Sequence, residues 1–316
     1  MKEIGGYFEL EQFTNREYYP DLIAVNNARN ALLFLIRARK IKKIHLPFFL
    51  CDSVSSLCKR EGVCFEYYHI ERNFLPCFEK ELQDGEWLYV VNYYGQIAES
   101  AIVELKKRYD RVIFDNVQAF FARPIRGIDT LYSCRKFFGV PDGGYLSTTA
   151  EIDEEVPTDT SGDRMKHLLG RFEGSASDYY ADFKANDHSF VELPLRYMSK
   201  LTHNILGAID YDQTIQKRNQ NWAYLHSALG ARNPLSLRYT DGPYAYPFYC
   251  ENGSSIKKKL AEKKIFVATL WPNVFDVDGC DLEKDYAANI LPLPCDQRYG
   301  IEEMQYLVEE VLKCIN

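Results

Sequence analysis

Residues 111–146 read RVIFDNVQAFFARPIRGIDTLYSCRKFFGVPDGGYL, and the fold turns on how this stretch divides. It opens on an apolar run, Arg111–Asp115, that reads as a buried strand ending in a carboxylate. An amide follows at Gln118. A second strand, around LYSCRK, is expected to deliver Ser133, Arg135 and Lys136. The turn Val140-Pro141-Asp142-Gly143-Gly144 then reverses the chain into YLSTT, since glycine takes positive φ without steric cost. A carboxylate, an amide, a hydroxyl and a lysine are thereby expected at neighbouring strand ends.

Working outward, residues 87–94 (WLYVVNYY) are a near-continuous apolar run, as a strand covered on both faces of a parallel sheet requires. Residues 98–108 read as its crossover helix. Upstream, strands are expected over 43–47 and 63–70 with a helix over 54–60 between them. Residues 24–40 read as an amphipathic helix with Asn26 or Asn27 as N-cap. Its first N–H groups, at Asn27, Ala28 and Arg29, either end in an ordinary cap or hold a phosphate. Strands alternating with helices of this length indicate an α/β sheet with right-handed crossovers, whose ligands bind beyond the carboxyl ends of the strands. Downstream, residues 151–163 read as an acidic loop and 164–229 as mostly helical, with the clearest helix over 209–229 and Gly230 and Pro234 ending it. Strands over 243–250 and 265–270 and helices over 254–263 and 300–314 predict a small C-terminal α+β domain. The expected division is residues 1–229 and 230–316.

The 316 residues suit one large domain and a smaller one, and the 46% hydrophobic and 26% charged content is that of an ordinary globular chain. A net charge of -7 gives no general pull toward nucleic acid or anionic membrane. No run of about 18 apolar residues predicts a membrane span. The opening MKEIGGYFELEQF lacks the apolar core of a signal peptide. The nine cysteines include no Cys-x-x-Cys pair and fit reduced thiols in the cytoplasm. The six histidines show no His-x-x-x-His spacing, so no metal site is expected.

The strand-end groups match the needs of an aldehyde cofactor, pyridoxal phosphate (PLP). Such a cofactor takes a lysine to form an imine, a carboxylate to keep its ring nitrogen protonated, a donor for its phenolic oxygen, and hydroxyl and N–H groups for its phosphate. Lys136, Asp115, Gln118 and Ser133 supply these in turn, with the helix start at Asn27, Ala28 and Arg29 completing the phosphate site. A buried carboxylate is costly unless it meets a cation, and a pyridinium is one. Burial near Arg135 is expected to keep Lys136 neutral and nucleophilic. Taken singly, each residue has a plainer reading: Asp115 as a turn cap, Ser133 as a strand residue, Arg135-Lys136 as a solvated basic pair.

The pattern Asp115-x-x-Gln118-Ala119, then Ser133-x-x-Lys136, then Gly143-Gly144 resembles the DegT/DnrJ/StrS type of PLP-dependent sugar aminotransferase. So do GGYFELE, NNARNAL, LPFFLCDSV and VNYYGQ, and, more loosely, QKRNQNW and LPLPCDQRYG. The resemblance implies the aspartate-aminotransferase-like fold (fold type I), with a mostly parallel sheet of the seven-stranded type, in a homodimer whose active sites lie at the subunit interface. It implies Asp115 at the pyridine nitrogen, Gln118 at the phenolic oxygen, Ser133 and the N–H groups around Ala28 at the phosphate, and Lys136 as the imine partner. Phe49, or else Tyr93, is expected to stack on the ring. Gly5, Gly6, Tyr7, Trp271 and Arg298 are candidates for the substrate side. The reaction that the resemblance implies moves an amino group from an amino-acid donor such as glutamate to a keto sugar, expected to be nucleotide-linked, in polysaccharide or deoxysugar synthesis. Alternatives are a PLP-dependent sugar dehydratase or lyase, and a non-catalytic protein of the same fold.

Overall fold

A computed structural model describes residues 4–315. Residues 1–3 of the opening stretch, which are also the start of the expected first domain, and residue 316 lie outside the described part. The chain runs β1 (Ile23–Val25), α1 (Ala28–Ala38), β2 (Lys43–Pro47), α2 (Asp52–Arg60), β3 (Cys64–Ile70), β4 (Pro76–Cys77), β5 (Glu86–Val91), α3 (Glu99–Tyr109), β6 (Val112–Asp115), β7 (Asp129–Ser133) and β8 (Gly144–Ser147). Four helices follow: α4 (Lys166–Glu173), α5 (Tyr180–Ser189), α6 (Lys200–Leu206) and α7 (Tyr211–Leu229). The chain closes with β9 (Tyr246–Tyr249), α8 (Gly253–Glu262), α9 (Asp281–Asn289), β10 (Ile290–Leu293) and α10 (Ile301–Ile315).

The main sheet has the order β1-β8-β7-β6-β5-β2-β3-β4. Its interior strands β3, β2, β5, β6 and β7 are parallel, while β8, β1 and the two-residue β4 pair antiparallel. Every residue of β6 and β7 is buried, because helices cover both faces; this is why these strands read as unbroken apolar runs. The mostly parallel α/β expectation thus holds. A separate antiparallel pair, β9 and β10, packs with α8, α10 and the Trp222, Leu225 and Leu229 face of α7.

Two expectations change. The helix foreseen over 24–40 begins only at Ala28, because residues 23–25 pair with β8 (Ala24 opposite Tyr145) and Asn27, at φ -166, caps the helix through Asn30 N. Residues 265–270 form no strand: β9 finds its partner in β10, and the stretch lies half in solvent with Phe266 66% exposed. An extended segment without a neighbour leaves its backbone groups to water.

Candidate active site

Asp115 ends β6 and Ser133 ends β7, its parallel neighbour. Asp115 lies opposite Leu131, so Ser133 stands one pleat beyond it on the same edge of the sheet. Asp115 is buried. Its Oδ2 accepts from the Tyr89 hydroxyl at 2.7 Å and its Oδ1 from Val117 N at 2.8 Å. Burial nevertheless pushes its carboxyl above the ordinary value; the Tyr89 bond, the Val117 bond and the charge of Lys136 oppose this without cancelling it. The protein leaves this carboxylate short of positive charge.

Gln118 is fully buried. Its Oε1 accepts from Tyr94 N at 2.9 Å, while its Nε2 has no partner. A buried amide N–H without an acceptor is costly, and native chains rarely leave one. Tyr94 holds its N–H in place by adopting φ 54, unusual for a side-chain-bearing residue.

Lys136 does not lie on β7. The strand stops at Ser133, and the chain enters a tight turn in which Phe137 N and Phe138 N both donate to Cys134 O. Lys136 is exposed, contrary to the burial expected of it. Its Nζ lies 5.8 Å from the centre of the Tyr244 ring. Arg135 faces elsewhere: it pairs with Asp187 at 3.2 Å and lies over the Phe190 ring at 4.4 Å. These two consecutive residues thus send their charges to different neighbours, Arg135 to Asp187 and Phe190 and Lys136 to Tyr244.

The start of α1 closes the other end. Asn27 Oδ1 accepts from Asn30 N at 2.8 Å, and among the described residues the N–H groups of Ala28 and Arg29 have no protein acceptor. The glycine pair of the turn packs directly against this helix start. Gly143 donates its N–H to Asn26 O at 2.6 Å, and a Cβ on Gly144 would lie 2.8 Å from Ala28 N. Ser133, at the end of β7, is 9% exposed, and among the described residues its hydroxyl makes no hydrogen bond. Nearby, Arg29 donates to Phe190 O at 2.7 Å, and Arg29 and Arg164 both act on the charge of Arg135, so this end of the site is positive.

Phe49 is not offered to a ligand. It is fully buried, with its ring 5.2 Å from Tyr93, 5.0 Å from Trp271 and 6.2 Å from Tyr286. Tyr93 is also covered, and its hydroxyl donates to Phe49 O at 2.6 Å. Trp271 therefore belongs to this aromatic core, while Arg298 pairs with Asp296 at 2.7 Å. Gly5, Gly6 and Tyr7 are exposed. Sequence reading missed Tyr89. Val91 pairs with Asp115 in the ladder, and Tyr89, two residues back, faces the same side; that period of two was the available signal.

No family model and no curated protein matches the sequence. Solved structures do match its fold. A DegT DnrJ EryC1 StrS aminotransferase from Brucella abortus superposes with TM-score 0.63 at 13% identity, over 93% of this chain and 86% of its own. The PLP form of a putative sugar aminotransferase from Streptococcus pneumoniae gives 0.62 at 15% identity, over 94% and 88%. NtdA from Bacillus subtilis, with bound cofactor PMP, gives 0.66 at 16% identity, over 93% and 73%. The chain therefore has the fold of these aminotransferases, from the main sheet through the C-terminal strand pair.

Proposed function

We propose that this protein is a PLP-dependent aminotransferase that moves an amino group from an amino-acid donor, glutamate in the simplest case, to a keto sugar, nucleotide-linked, for deoxysugar or polysaccharide synthesis. One observation carries the reading: the unpartnered Gln118 Nε2 lies in the same site as an under-compensated Asp115 carboxylate, with Lys136 close enough to act on that charge. When bound, PLP supplies an electron sink for the carbon that exchanges its amino group.

The residues present fit that group. Asp115, held by Tyr89 and Val117 N, provides the anion for a protonated ring nitrogen. Gln118 Nε2 would donate to the phenolic oxygen. The free N–H groups of Ala28 and Arg29 and the Ser133 hydroxyl would hold the phosphate, helped by the dipole of α1. Lys136 would be the residue that attaches the cofactor, and its amine the group placed to accept and return a proton. The likeness in fold to sugar aminotransferases supports the substrate class, and the presence of the lysine favours transamination over dehydration.

We further propose a cytoplasmic homodimer whose protomers have two units, residues 1–229 and 230–316, with α7 as the strut between them. The nine unpaired cysteines suit a reducing compartment. Among the described residues no helix is long and apolar enough to cross a membrane. Tyr7 and Phe8 are 98% and 96% exposed, as residues awaiting a second chain would be.

Borohydride reduction of the PLP-loaded protein should fix the cofactor onto Lys136, found by peptide mass. Lys136→Ala should abolish both the attachment and the visible absorption band; an unchanged band in that variant sinks the assignment. Added glutamate should convert the spectrum to the pyridoxamine form, and absence of conversion would favour a lyase.

A further inference from the structure

Away from this site, three metal-type donors converge where β3 meets the start of α9. His69 Nδ1, Cys280 Sγ and a Glu283 carboxylate oxygen all lie within 4.8 Å of one another. Glu283 is 1% exposed, yet among the described residues no lysine or arginine pairs with it. One oxygen, Oε1, accepts from Ile70 N at 3.0 Å and lies 3.1 Å from His69 Nδ1, while the other takes no hydrogen bond from the described residues. Cys280 is fully buried immediately before α9, and its sulfur lies 3.8 Å from Asp278 O. A buried carboxylate and a buried thiol set together, facing one half-exposed imidazole, are poorly compensated by the protein alone.

The sheet register adds a fourth donor. Cys77, on β4, is the direct cross-strand partner of His69 and is exposed. Directly opposed residues leave the same face of a sheet with Cβ atoms about 5 Å apart. The register thus places Cys77 beside His69 on the same face, while its sulfur stands outside the three converging atoms.

We propose that His69, Cys77, Cys280 and Glu283 bind one borderline-soft divalent cation of the zinc type, which ties the β3–β4 edge of the main sheet to α9. Two sulfurs, one imidazole nitrogen and one carboxylate oxygen are all zinc ligand types, and together they make up a four-coordinate set. Ligand atoms around such an ion sit roughly 3.5 Å apart, so the present spread needs only a modest contraction. Binding displaces the thiol protons and replaces the His69–Glu283 hydrogen bond with two metal bonds. The His-x-x-x-His signature is absent because the donors come from three separate places in the chain. The site is independent of the PLP reading and stands or falls without it.

The test is zinc titration of the full, chelator-treated protein by calorimetry, with bound metal counted after gel filtration. One zinc per chain is expected, with a rise in melting temperature on binding. His69→Gln and Cys77→Ser change exposed side chains and should leave the fold intact by circular dichroism. Each should weaken zinc binding at least about tenfold and reduce the thermal shift, while Cys64→Ser, another exposed thiol on β3, should bind as the parent does. Failure to retain zinc would overturn the proposal. So would equal binding by His69→Gln and Cys77→Ser, or equal weakening in Cys64→Ser, either of which marks scattered thiol binding.

Discussion

Asp115 ends β6 in a buried position, where its charge costs the protein stability and, on the proposed function, would serve a bound cofactor. Its carboxyl is raised above 3.8 by burial. The folded chain therefore holds this proton at pH values where the unfolded chain has lost it. The resulting penalty is absent in acid, grows as pH rises above 3.8, and is complete above the folded value. Asp115→Asn keeps the size of the side chain and its bond to Val117 N but removes the charge. At pH 8 without PLP the variant should melt no lower than the parent. With PLP the order should reverse, because the neutral amide offers the ring nitrogen no counter-charge; PLP affinity should fall at least about tenfold, since one unit of pKa mismatch is about 1.4 kcal/mol. Paired melting curves with and without PLP check both halves. The placement of Asp115 and Ser133 at adjacent strand ends was legible from the apolar runs that precede them, whereas Gln118 and Lys136 lie in the turns beyond those strands. Tyr89 was not, since its role depends on which strand neighbours β6. The exposure of Lys136 was not legible either, because side-chain direction in a turn follows from backbone angles that spacing does not encode.

At the level of elements, the Gly143-Gly144 turn does two jobs that sequence reading merged into one. Gly143 has φ 114, a conformation that favours glycine. Gly144 is required for room: a Cβ there would lie 2.8 Å from Ala28 N, Asn27 C and Tyr132 O, all backbone atoms. It is the contact that seats the start of α1 on β7 and β8. Gly144→Ala should cost about 1–3 kcal/mol in urea unfolding, as overpacking against rigid backbone does. Gly162→Ala, with nothing within 4 Å, should stay within about 0.5 kcal/mol of the parent. Gly144→Ala should also loosen PLP, because the displaced groups carry the free N–H donors of α1. The parallel strands and their crossovers were readable from continuous apolar runs. The C-terminal unit was not fully so: Ile290–Leu293, the true partner of β9, is a four-residue strand directly after α9, and residues 265–270 carry the better apolar pattern without a neighbour to pair with. Pairing is a tertiary choice that a local pattern does not settle.

Across the whole molecule, the QKRNQNW segment of α7 joins the C-terminal unit to the lysine turn. Asn221 donates to Asp296 O at 3.2 Å and Tyr299 O at 3.0 Å, and Asn219 accepts from Gly242 N at 2.8 Å. Arg218 is the central member. It is 1% exposed, and its guanidinium donates to Gln297 Oε1 at 2.7 Å, Pro243 O at 2.8 Å and Phe137 O at 3.3 Å while lying 4.6 Å from the centre of the Phe137 ring. Gln297 Nε2 reaches the same Phe137 carbonyl at 2.7 Å. Phe137 follows Lys136 directly, so these bonds fix where the lysine turn sits, although Arg218 touches neither lysine nor ligand. Arg218→Met would fill the space but remove the donors, leaving Gln297 Oε1 and Pro243 O short while Phe137 O keeps Gln297 Nε2. At roughly 1 kcal/mol or more for each, the variant should lose about 2–4 kcal/mol in urea unfolding. Arg218→Lys keeps the charge but cannot span three acceptors in one plane, and should fall between the two. A purely structural role would lower stability and leave cofactor release unchanged. A positioning role should also speed release of PLP from the folded protein, measured by trapping free PLP in dilute urea below the unfolding transition, with Arg218→Lys restoring part of the retention.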